Sequence, residues 1–96
     1  MMGEEIKSAY ELALERLGGE RSSLSAGQKK ALAEVDTKTG ARVAEQSILY
    51  DQRIQEARAS GDPAAVRELE GAKSAEISRL REEAEEEKNR IRREKA

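Results

Sequence analysis

Three carboxylates, Glu82, Glu83 and Glu86, form a Glu-Glu-x-x-Glu string. One helical turn would bring Glu82 and Glu86 together, and paired carboxylates are hard oxygen ligands of the kind that hold magnesium beside a phosphate. Histidine and cysteine are both absent from the 96 residues. This removes zinc and haem ligation, cysteine or histidine nucleophiles, and the Glu-x-x-His di-iron pattern. Gly27-Gln28-Lys29-Lys30 lacks the spacing of a phosphate loop and follows no strand. Ser22, Ser23, Ser25 and Ser60 have no base partner and read as cap and loop residues.

The acidic string resembles, over its five residues, the metal-binding helix of the all-α nucleotide pyrophosphatases. That resemblance implies a facing acidic helix, and only Glu34 and Asp36 come near it in the register derived below. In a chain with 20 acidic residues, the string is more simply a solvated face. No catalytic residue, cofactor-binding residue or metal ligand is assigned, and the chain reads as a non-enzyme. The next charged feature is a basic tip of Lys88, Arg90, Arg92 and Arg93, directly after the Glu-rich residues 82–87. The pairs Glu86–Arg90 and Arg90–Glu94 have i,i+4 spacing, and a basic last turn suits the helix dipole. A phosphate contact is the alternative, but without interleaved aromatics it would be unspecific.

The elements that carry these groups follow from composition and pattern. Hydrophobic residues make up 36% and charged residues 40%, with two tyrosines as the only aromatics, so a large globular core is excluded. Such a composition also suits disorder, but the apolar periodicity argues for long helices. The net charge of −2 is spread evenly, which argues against a nucleic-acid footprint over the whole body. No apolar run approaches the ~20 residues of a membrane span, and the N-terminus has no apolar signal-peptide region, so the expected location is the cytoplasm.

Three helical segments make one domain. A short helix is expected over residues 3–18, with Ile6, Ala9, Tyr10, Ala13, Leu14 and Leu17 on one face and Gly18-Gly19 as its stop. A first arm is expected over 25–60, opened by the capping box Ser25-x-x-Gln28. A second arm covers 63–95. Between the arms, Ser60-Gly61-Asp62-Pro63 supplies a left-handed C′ residue, an N-cap and a first-turn proline. A connection this short returns the chain antiparallel to itself. Gly40, beside Thr37 and Thr39, marks either a bend in the first arm or the close approach of another helix.

Both arms carry a heptad-like stripe. In the second it runs Val66, Glu70, Lys73, Ile77, Leu80, Ala84, Glu87, Ile91, with Leu69 flanking. In the first it runs Leu32, Val35, Thr39, Val43, Gln46, Tyr50, Arg53 with Ile54, and Ala57. Reversal at the hinge predicts facing residues whose numbers total about 123. Val43 then meets Leu80, Gln46 meets Ile77, and Tyr50 meets Lys73, whose stem can cover the ring. The fold expected is all-α: a short N-terminal helix plus a long, coiled-coil-like antiparallel hairpin. Ile48, Leu49, Ala41 and Ala44 fall away from the seam, and a helix apolar on two sides has neighbours on two sides. A homodimer forming a helical bundle is expected.

The opening Glu5-Ile6-Lys7-Ser8-Ala9-Tyr10-Glu11-Leu12-Ala13-Leu14-Glu15-Arg16 looks like the start of small bacterial helical proteins of no assigned activity. It implies a bacterial protein and carries over no functional residue. The function expected is a non-catalytic oligomerisation or adaptor module. Its partners are a second copy and another protein, its interface is Ile6, Tyr10, Leu14, Leu17, Ile48 and Leu49, and it needs no cofactor. Two alternatives stand beside it: a holdase-like chaperone exposing Leu32, Val35 and Ile91 at the arm ends, and a nucleic-acid-associated protein using the basic tip.

Overall fold

The structure, a computed structural model, describes residues 24–94. They form two helices, α1 (Ala26–Ala59) and α2 (Pro63–Arg93), packed against each other as an antiparallel hairpin. The segment expected to form the short N-terminal helix lies outside the described residues.

The start of α1 is set by a complete capping box. Ser25 Oγ accepts from the Gln28 amide at 3.0 Å, and Gln28 Oε1 accepts from the Ser25 amide at 2.8 Å. These bonds satisfy two donors that the first turn would otherwise leave unpaired. At the far end the helix closes in a Schellman motif. The Gly61 amide donates to Arg58 O and the Asp62 amide to Ala57 O, both at 3.0 Å. Gly61 has φ of 67°, a conformation a Cβ would strain. Asp62 then opens α2, its Oδ1 accepting from the Ala65 amide at 3.1 Å, and Pro63 fills the first helical position. Asp62 thus ends one helix and begins the next, with no loop residue spare.

The seam follows the expected register within one residue. Lys73 Nζ reaches Asp51, the neighbour of Tyr50, at 2.8 Å, and Lys88 Nζ reaches Asp36, the neighbour of Val35, at 2.9 Å. Val35, Ile54, Leu80 and Ala84 are buried, with 6–9% of their surface exposed. Leu32, Thr39, Val43, Gln46, Tyr50 and Ala57 on α1, and Val66, Lys73, Ile77 and Ile91 on α2, are half-buried along the same line.

Three members of the expected stripes face solvent instead: Arg53, Glu70 and Glu87. In each case an adjacent residue takes the seam, Ile54 for Arg53, Leu69 for Glu70 and Lys88 for Glu87. The spacing of three or four from the previous layer permits either choice. Desolvating a carboxylate or guanidinium costs more than turning in an aliphatic side chain or a lysine stem. The cation over Tyr50 also differs from expectation. Arg53 places its guanidinium carbon 5.9 Å from the ring centroid, while Lys73 pairs with Asp51.

Helix α1 runs unbroken through Gly40, and a Cβ built there meets nothing within 4 Å. Neither a helix break nor a close approach within the hairpin requires this glycine. Gly40→Ala should therefore stabilise the hairpin by about 0.5–1 kcal/mol, read from the midpoint of chemical denaturation. Leu80→Asp, which puts a charge in the buried Val43 layer, should cost several kcal/mol and abolish cooperative thermal unfolding followed by circular dichroism.

Candidate functional site

Position relative to the seam decides which side chains are available to a partner. Where the seam runs through Val43, Gln46, Tyr50 and Ile54, helical rotation carries Ala41 and Ile48 to the back of α1 and Ala44 and Leu49 to its two flanks. Ile48 is 60% exposed and Leu49 44%. The small Ala41 and Ala44 lie at i−7 and i−4 of Ile48, so the patch has low relief and a neighbouring helix could come close. Of the expected interface residues, Ile48 and Leu49 are therefore both exposed, about 100° apart around α1 with Glu45 and Gln52 between them. Ile6, Tyr10, Leu14 and Leu17 lie outside the described residues.

The basic tip is less open than its sequence implies. Lys88 Nζ bonds Asp36 at 2.9 Å and lies 3.5 Å from Glu85, with 15% of its side chain exposed. The hydrogen bond to Asp36 holds the Lys88 ammonium above its ordinary pKa, outweighing a partial loss of solvation. The sign follows for stability: the contribution of this pair is complete below the ordinary lysine range and is lost as pH rises through the raised value. Arg92 donates to Asn89 at 2.9 Å and reaches Glu85 at 3.9 Å. Arg90 and Arg93 are exposed and make no ion pair with a described residue. The expected Glu86–Arg90 and Arg90–Glu94 pairs are absent among the described residues. Glu85 takes their place, sitting one turn before Lys88 and two turns before Arg92 on the same face.

The acidic string does not assemble a metal site. Glu82, Glu83 and Glu86 are exposed, and Arg79 engages Glu83 as well as Glu76. Arg79 holds the Glu76 carboxyl below its usual value by its hydrogen bond and charge. Asp36, one of the two facing acids that sequence offered, is taken by Lys88. Among the described residues no group of three or more acidic side chains converges. No described helix is long and apolar enough to cross a membrane.

Two features at the open end of the hairpin had no individual sequence signal. Gln28, 8% exposed, does more than cap α1. Its Nε2 donates to Ile91 O at 2.9 Å and to Glu94 O at 2.5 Å, clasping the last turn of α2 to the first turn of α1. A capping-box reading finds Gln28 but cannot reveal its second partners, which are backbone carbonyls more than sixty positions away. Beside the clasp, an apolar groove runs along the flank of α1 from Lys30 to Ala41 and takes in Glu87 and Ile91 of α2. The arm-end residues Leu32, Val35 and Ile91 turn toward the seam, Val35 being buried and the others half-buried.

No protein-family model, curated protein or solved structure matches this chain.

With Lys88 and Arg92 engaged by carboxylates, duplex DNA should bind weakly. By fluorescence anisotropy the dissociation constant should lie above about 1 µM at physiological salt, the non-specific range. Tighter binding that falls with a log–log salt slope of roughly −3 to −4 would instead establish four phosphate contacts.

Proposed function

We propose that this chain is a non-catalytic interaction module that self-associates through the back of α1, two hairpins forming a bundle of four long helices. The supporting observation is the exposure of Ile48 and Leu49 on a helix whose opposite side already packs on α2. The seam buries few large apolar side chains, and covering the patch would add apolar contact at about 25 cal/mol per Å² removed from water. A two-fold axis through the patch lets one surface serve both subunits, with the alanines allowing the helices to close up. Once paired, the remaining charged faces are open to a further protein partner, the adaptor role. The N-terminal resemblance suggests a bacterial, cytoplasmic setting.

Light scattering coupled to size exclusion should give twice the 10.6 kDa chain mass at tens of micromolar. Leu49→Asp should return the mass to that of one chain while leaving helicity unchanged. A wild-type monomer at that concentration overturns the self-association reading.

A further inference from the structure

We propose that the N-terminal segment Ile6–Leu17 seats in cis, antiparallel to α1, in the apolar groove at the open end of the hairpin. That end then becomes a three-helix bundle. The groove shares Ala41 with the alanines beside Ile48, but neither Ile48 nor Leu49 lines it, so cis seating and self-association are read by separate measurements.

The groove takes its apolar lining from Ala31, Val35 and Ala41 of α1 and Ile91 of α2, and lysines and glutamates, Glu87 among them, border it as well. Its chemistry asks for an apolar helix face of limited length. From Lys30 to Ala41 is eleven positions, about 16 Å of helix. The stripe Ile6, Tyr10, Leu14, Leu17 also spans eleven positions, about 16 Å if helical. Position agrees with length. The described chain starts at Leu24, beside the N-cap Ser25, at the same end as the groove. The seven steps from Leu17 to Leu24 reach at most ~23 Å. This is ample to reverse direction and cross the ~8–10 Å between packed helix axes.

The tether decides between this occupant and a second copy. A connector of only a few residues, Gly18-Gly19 among them, holds the segment at an effective concentration of about millimolar. A segment from another chain competes at only the micromolar concentration of the protein itself. The antiparallel seat sets Leu17 level with Lys30 and Ile6 level with Ala41. The segment is then exhausted before the level of Ile48, so that patch stays open.

The chain contains no cysteine, so an introduced pair is unambiguous. The full-length chain carrying Ile6→Cys and Ala41→Cys is oxidised mildly at low micromolar concentration and run on a non-reducing gel. A second chain carries Ile6→Cys and Ile48→Cys, the second thiol lying about 10 Å further along α1. A disulfide needs Cα atoms within about 7 Å. We expect an intramolecular bond in most of the first chain and little in the second, and loss of the first bond when Leu14→Asp is added. Circular dichroism of each variant confirms that the hairpin persists. Hydrogen exchange of wild-type amides 31–41, slower than in Leu14→Asp, gives a reading free of introduced thiols. Absence of the bond, equal yields in both pairs, or disulfide-linked dimers as the main product would each overturn the proposal. Light scattering of the wild-type chain tests self-association separately.

Discussion

The turn at Ser60–Pro63 leaves the hairpin no freedom of register. Gly61 at φ of 67° sends two amides back to the carbonyls of Ala57 and Arg58, and Asp62 caps α2 immediately afterwards. With no intervening loop, sliding one arm by a residue would break the Schellman bonds or the N-cap. The seam is fixed from this end, and the Lys73–Asp51 and Lys88–Asp36 bridges lie within one residue of the layers that the hinge predicts. The seam is too mixed to set its own register. Gln46, Thr39 and Lys73 interrupt its apolar line, and few large side chains are buried in it.

The polar interactions therefore act as alignment more than as adhesion. Lys73–Asp51 and Lys88–Asp36 connect the two helices, but the aspartates are largely exposed and water screens much of the attraction. Each lysine instead contributes its stem, which closes part of the seam while the ammonium reaches outward to a carboxylate. Arg53 stays exposed on α1 and lays its guanidinium over the Tyr50 ring in place of entering the seam.

Much of this architecture is written in local rules. The hinge residues have fixed conformational preferences, and the two apolar stripes match once the chain reverses, so both arms and their alignment can be read without coordinates. Rules of spacing could not choose between Glu70 and Leu69, or between Glu87 and Lys88, since each pair offers one step of three and one of four. Solvation energy made that choice. The exposed position of Ile48 and Leu49 follows directly from the stripe. The engagement of Lys88 by Asp36 does not, because it requires the side-chain geometry of both helices. The Gln28 clasp is less visible still. Its acceptors are main-chain carbonyls, which every sequence possesses, and nothing in Ile91 or Glu94 marks them as partners.

That clasp makes the hairpin a loop closed at both ends, covalently at the hinge and by hydrogen bonds at Gln28. Helix ends ordinarily fray independently, each losing its last turn in fast, uncorrelated openings. Here the first turn of α1 and the last turn of α2 share one side chain, so their fraying becomes a single event. The order of assembly follows from chain distance. Contacts beside the hinge close short loops and form at small entropic cost, whereas the clasp joins residues at opposite ends of the described chain. Folding then proceeds as a zipper from the hinge, with Gln28 the last tooth to engage and the first to release.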